Sequence, residues 1–220
     1  MATAAEFQTR LQMLRAPDGS IGMGRIFALA KELMDLTPAE IERLLGSPRH
    51  EDRVGAVSVM DWQARSRKTT PERRRELHDL YLRRHDLIDT WDLVDRSAIW
   101  VVGEYLVDKP RDELYLLARS HRPMERRTAI LSTFAFMRHG ELDDAYRIAE
   151  LLVDDREDLV HKAVGWMLRE VGNRDGKAER DFLRAHCRTM PRTMLRYAIE
   201  KFPEAERRRY LTGELPAPRA

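Results

Sequence analysis

Residues 158–172 read DLVHKAVGWMLREVG. Val160, Val164, Met167, Leu168 and Val171 recur there at helical spacing and define one apolar stripe. A small residue, Ala163, stands mid-helix in HKAVGWML. Four other stretches share that design: RVGAVSVM around Ala56, VDRSAIWV around Ala98, RRTAILST around Ala129 and LRYAIEKF around Ala198. The five alanines are 42, 31, 34 and 35 residues apart. A stacked structural repeat takes roughly 20–45 residues, so one helix–turn–helix pair fills each interval. Small residues at these positions let the paired helices approach closely. The expected fold is therefore all-α, a HEAT-like helical repeat solenoid. Its antiparallel helix pairs would stack into a curved right-handed superhelix, with the inner helices lining a concave face. A compact helical bundle is the alternative.

The surrounding sequence agrees with helices throughout. Thr37-Pro38-Ala39-Glu40 reads as a capping box with proline at the first helical position, and Thr70-Pro71-Glu72-Arg73 starts a helix in the same way. Breaks are expected near Gly46–Pro48, Ser66–Thr70, Lys109-Pro110, Arg122-Pro123, Gly140, Asp154-Asp155, Gly172–Gly176 and Met190-Pro191. No alternating β-branched run is long enough for a strand. Proline and glycine are thinly spread, so residues 1–220 are expected to form a single domain.

Composition narrows the chemistry. One cysteine in 220 residues excludes a disulfide framework, a thiolate zinc site and an iron–sulfur cluster. The seven histidines are scattered and none pairs at metal-ligand spacing, so neither a metal nor another cofactor is expected. Gly22-Met23-Gly24 lacks the flanking strand of a phosphate loop. Cys187 has no catalytic context. There is no apolar run of membrane-spanning length, and MATAAEFQTRLQMLR lacks the apolar core of a secretory signal. A cytoplasmic protein is expected. The formal net charge is only +2, but 33 of the 39 cations are arginine. Residues 180–219 hold nine Arg and one Lys against five acids, a net of +5. A basic end on a near-neutral chain points to a polyanion.

Three side chains stand apart from the packing pattern. In the helix expected from Thr90 to about Leu106, with Thr90 as cap, Trp91, Val94, Ala98, Val101, Val102 and Tyr105 share one sector of the helical wheel. Asp95 falls inside that sector, and a carboxylate there needs a partner or a purpose. In the helix starting near Glu125, Arg127 projects from the upper end of the stripe made by Ile130, Leu131 and Phe134. Trp166 lies opposite its own core stripe, with Lys162 and Arg169 a turn away in each direction. An aromatic ring among cations is what a nucleic-acid platform uses. Asp95 to Arg127 is 32 residues and Arg127 to Trp166 is 39, about one repeat each. Equivalent helices of successive repeats would bring the three to one groove. Arg192 and Arg196 would continue its basic margin.

WDLVD at 91–95, ERRTAIL at 125–131, DLVHKAVGWMLREVG at 158–172 and MPRTMLRYAIEKF at 190–202 resemble the AlkD-type DNA alkylation repair enzymes, as does SPRHEDRVGAV at 47–57. The resemblance runs from about Gly22 to Leu211. It implies a HEAT-like DNA glycosylase that hydrolyses the N-glycosidic bond of cationic N3- and N7-alkylated purines without base flipping. It also implies a catalytic acid at Asp95, an aromatic partner at Trp91, an active-site arginine at Arg127 and a second aromatic at Trp166. Lys162, Arg169, Arg192 and Arg196 would then contact DNA phosphates. Met124 precedes ERR where related sequences often carry Trp. The expected partner is double-stranded DNA with alkylated bases, which would place the cytoplasmic protein on the nucleoid when bound. No membrane and no obligate protein partner are expected, and a monomer is. The competing reading is a non-catalytic HEAT-repeat module that binds DNA or protein.

Overall fold

A computed structural model describes residues 2–214, and Arg219, the last of the nine arginines counted above, lies outside them. Among the described residues there are thirteen α-helices and no strand. Two compact units divide the chain, Met1–Lys109 and Pro110–Ala220.

The first unit contains α1 (Ala4–Met13), α2 (Met23–Glu32), α3 (Pro38–Leu45), α4 (His50–Arg65), α5 (Pro71–Arg83) and α6 (Trp91–Ala98). The last continues through a π turn, Ile99–Gly103, and a 3-10 turn, Glu104–Leu106. Helix α4 is the centre of this unit and packs against α2, α3, α5 and α6. It is accordingly buried nearly all round, from Asp52 and Val54 to Ala64. The second unit contains α7 (Asp112–Ala118), α8 (Pro123–Arg138), α9 (Asp143–Leu151), α10 (Asp158–Gly172), α11 (Gly176–His186), α12 (Arg192–Ala198) and α13 (Glu204–Thr212), with a 3-10 turn, Ile199–Lys201, after α12. Here α8, α10 and α12 pack in series, α7 packs on α8, and α9 packs on α8 and α10.

Five helices carry the alanine spacing. Ala56, Ala98, Ala129, Ala163 and Ala198 lie on α4, α6, α8, α10 and α12, and all five are fully buried. The expected breaks separate the helices: Gly46–Pro48 falls between α3 and α4, and Met190-Pro191 between α11 and α12. Gly140, at φ +84°, turns the chain after α8 in the left-handed conformation that glycine adopts without strain.

Two loops share the same chemistry. Before α4, Ser47 Oγ donates to the buried Asp52 carboxylate at 2.6 Å and Arg49 pairs with it at 2.8 Å. Before α8, Ser120 donates to Glu125, and Arg122 pairs with the same carboxylate. In both, Ser and Arg two residues apart hold an acid in the first turn that follows, where the helix dipole favours negative charge.

Two caps differ from expectation. Thr37 Oγ1 accepts from the Glu40 amide at 3.3 Å, as a capping box requires. The Glu40 carboxylate, however, accepts from the Ala4 amide at 2.8 Å, so it ties α1 to α3. Thr90 makes no side-chain cap; its hydroxyl donates to Asp92 at 2.7 Å.

Glu179 on α11 is only 3% exposed. Burial outweighs Arg180 and Arg169 and pushes its pKa up to about 8. The folded state then keeps a proton that the unfolded chain releases near its ordinary pKa. The Glu179 contribution to stability should therefore fall as pH rises from about 4.5 to about 8 and level off beyond. Urea midpoints of wild type and Glu179→Gln across that window should differ by a term with this slope, and parallel curves would contradict it.

Candidate functional site

In the first unit, α6 carries Trp91 and Asp95 one turn apart. Its buried face consists of Leu93, Val94, Ser97 and Ala98, which centres the core away from the indole. Trp91 and Asp95 lie together at one edge of that face. Trp91 is 51% exposed and Asp95 is part-buried. The sequence reading placed Trp91 with the packing residues because an indole counts as apolar; in the structure it belongs to the surface. The π turn adds a second difference. Val101, Val102 and Gly103 are buried in succession, which a single helical stripe does not provide. Tyr105 consequently lies at the margin, stacked on His78 at 4.2 Å between ring centres.

The start of α6 is held from both sides. His50 Nε2 hydrogen-bonds the Asp92 carboxylate at 2.7 Å across to α4. Burial raises the Asp92 pKa, but the hydrogen bonds from Thr90 and His50 together outweigh it and hold the carboxyl below its ordinary value. Arg53 on α4 pairs with Asp89, just before α6, at 2.7 Å.

A turn further along, Arg96 Nη2 lies 3.0 Å from the buried Asp61 of α4, whose other oxygen accepts from Arg65 Nε at 2.9 Å. The Arg96 guanidinium stacks on Phe27 at 4.5 Å and reaches Trp62 at 5.2 Å, while Arg65 stacks on Trp100 at 4.6 Å. Burial pushes Asp61 up; Arg96 and Arg65 oppose it. This cluster joins α2, α4 and α6 and so fixes the helix that presents Trp91 and Asp95. Sequence reading missed it, because the partners lie 4 to 69 residues apart and only helix stacking brings them together.

In the second unit, Arg127 on α8 is 4% exposed, beneath the surface, and donates to the Leu159 carbonyl in the first turn of α10. The apolar stripe of α10 is as read: Val160, Val164, Met167, Leu168 and Val171 are buried. Trp166 is part-buried, off that stripe. Lys162 pairs with Asp158 at 2.7 Å along α10. That hydrogen bond is the main reason its pKa lies above the ordinary lysine value; Tyr197 adds to the rise and Arg127 opposes it. Arg127, Lys162 and Tyr197 are thus electrostatic neighbours from three consecutive packed helices, α8, α10 and α12. Tyr197, 38% exposed, was not singled out from the sequence; its place next to the buried Ala198 was the available signal.

The helices approach closely here. A Cβ on Gly165 would overlap the Met194 carbonyl and the Tyr197 Cβ of α12. Of the other cations, Arg169 forms an ion pair with Glu200, and Arg192 donates to the Leu211 carbonyl at 2.7 Å. Arg196 is exposed. Among the described residues, no group of three or more His, Cys, Asp or Glu is placed to hold a metal ion, and no helix is long and apolar enough to cross a membrane.

The profile of the family described as DNA alkylation repair enzyme matches residues 20–202. That span runs from just before α2 to the turn after α12 and includes Trp91, Asp95, Arg127 and Trp166. No curated protein matches the chain.

Proposed function

Because the chain belongs to the DNA alkylation repair enzyme family, we propose that it is an AlkD-type glycosylase. In this reading it excises cationic N3- and N7-alkylated purines from duplex DNA. The HEAT-like solenoid and its single-domain character are part of the same proposal. The observation that carries it is Trp91 with Asp95: an exposed indole and a part-buried carboxylate one turn apart on a helix braced from α2 and α4.

The chemistry needs little else. An N3- or N7-alkylated purine already carries positive charge, so it leaves as a neutral base without a general acid. Breaking the bond generates an oxocarbenium-like sugar, as in glycoside hydrolysis. An ionised Asp95 stabilises that cation and orients the attacking water. Exposed Trp91 offers a ring face to a cationic nucleotide, and Trp166 is proposed as a second aromatic contact with the DNA, each worth about 0.5–2 kcal/mol. Buried Arg127, held by the Leu159 carbonyl, is suited to fixing the first turn of α10 beside Lys162 rather than to reaching a backbone phosphate itself. An exposed indole is also compatible with excision from the unflipped duplex, in contrast with glycosylases that extrude the base.

Lys162, Arg169, Arg192 and Arg196 are proposed as phosphate contacts. Each phosphate contact releases counterions, so duplex affinity should fall with salt by about 0.9 log unit per contact for each tenfold increase. Lys162→Ala should weaken damaged and undamaged duplex alike and lower the slope by about one contact. Trp166→Ala should leave the slope at its wild-type value and reduce excision about 2- to 30-fold, the range of one cation–π contact. The measurement is a salt titration of duplex binding together with base release from methylated duplex. A Lys162→Ala slope equal to wild type would remove α10 from the interface. The same result with no base release would favour the non-catalytic module.

A further inference from the structure

A cavity of about 200 Å³ in the second unit is lined by Arg169 and Asn173 of the α10 end, Glu179 and Arg180 of α11, and Lys201 and Phe202 after α12. It lies outside every residue given a role above except Arg169. Glu179 is 97% removed from solvent, and its Oε1 has no hydrogen-bond partner; the Nε of Arg169 is likewise buried without one. Leaving such atoms unpaired is costly, and the fold makes room for them. Gly172 faces the Glu179 carboxyl, and a Cβ there would overlap it.

Charge around the cavity decides what fits. Arg169 is paired with Glu200 and Arg180 with Glu206 at 2.7 Å. Lys201 Nζ meets only the neutral Asn173 Oδ1, at 3.2 Å. Glu170 pairs with Arg174 and accepts from the Asn173 side-chain amide at 3.1 Å, so its charge is balanced within α10 and its end. Tyr146 of α9 feels the charge of Glu179. With Glu179 protonated, one positive charge is left over; with Glu179 ionised, the set is neutral. A cation would face three cationic side chains. An anion would meet three donors: the carboxyl proton, Arg169 Nε–H and Lys201 Nζ–H.

We propose that this cavity binds a small tetrahedral oxyanion, sulfate- or phosphate-sized, through protonated Glu179, Arg169 and Lys201. Binding takes up the proton that ionised Glu179 lacks, so site and proton are coupled. Occupancy ties the end of α10 to α11 and to the turn after α12. The proposal stands on this cluster alone and does not depend on the glycosylase reading.

Sulfate is the probe, because it does not titrate across the relevant range. Isothermal titration of the full chain at constant ionic strength should show one site. With the Glu179 pKa at about 8, sulfate affinity should fall about tenfold between pH 7 and pH 9. Titration at pH 9 in buffers of different ionisation enthalpy should report uptake of about one proton. Glu179→Gln keeps a donor and should bind sulfate with no such pH dependence. Lys201→Ala, an exposed substitution that leaves the core intact, should weaken sulfate at least tenfold. A parallel titration with undamaged duplex separates the two sources of the anion. Sulfate competition with duplex, lost in Lys201→Ala, identifies a backbone phosphate; sulfate binding that leaves duplex affinity unchanged identifies a free anion. Absence of sulfate binding at millimolar concentration overturns the proposal. So does equal affinity at pH 7 and pH 9, or wild-type affinity in Lys201→Ala.

Discussion

Asp95→Asn should bind duplex DNA as tightly as the wild-type chain and release alkylated bases about 100- to 1,000-fold more slowly, the cost of removing one preorganised electrostatic group. The amide preserves the shape of the side chain, so the packing of Leu93, Val94, Ser97 and Ala98 beneath it is undisturbed. What changes is the charge facing the sugar when the glycosidic bond breaks. Binding should hold or tighten slightly, since a carboxylate beside a polyanion is repelled by it. Duplex affinity and single-turnover excision measured on the same preparation separate the two effects. Wild-type excision by Asp95→Asn would remove this carboxylate from the chemistry; a parallel loss of binding would make its role structural.

The second large effect is structural. Gly165→Ala places a methyl group where α12 already supplies the Met194 carbonyl and the Tyr197 Cβ. Backbone cannot rotate away as a side chain tip does, so α10 and α12 must separate. Overpacking of this kind costs about 3 kcal/mol, which lowers the melting temperature by roughly 10 °C in a chain of this length. The control is Gly24→Ala on α2, where an added Cβ meets nothing within 4 Å. That change should be neutral or stabilising by about 0.5–1 kcal/mol through helix propensity. Equal melting temperatures for the two variants would contradict the close approach. Because Trp166 adjoins Gly165 and Tyr197 faces it, Gly165→Ala should also reduce excision at temperatures where the chain is still folded.

The parts of the structure written in local spacing were readable from the sequence. The alanine intervals, the breaks at Gly, Pro and Asp pairs, and the stripe from Val160 to Val171 depend on residues within one helix or on one repeat length. The position of Trp166 off the core stripe belongs with them. What could not be read depends on neighbours distant in sequence. The wheel drew Trp91 into the core because hydrophobicity alone does not say where a helix end is left uncovered. Thr90 has the right residue type for a cap, but Asp92 takes its hydroxyl. The π turn after Ala98 leaves no compositional mark. Arg127 stood out at the end of an apolar stripe, but its partner, the Leu159 carbonyl, and the pairing of Arg169 with Glu200 lie on other helices. Glu179 carries no sequence mark of its burial; Gly172 faces its carboxyl and the packing around it hides it from solvent. The roles proposed for Trp91, Asp95, Arg127 and Trp166 rest on their residue types and the family match, with the geometry of each helix as support.

The most direct test of the central claim is release of free N7-methylguanine from methylated duplex DNA by the purified chain, with EDTA present. The leaving purine is already cationic and Asp95 supplies the negative charge, so release should proceed at the same rate with and without the chelator and leave abasic sites in equal number to the bases freed. Duplex binding without base release, or release only with added divalent metal, would contradict it.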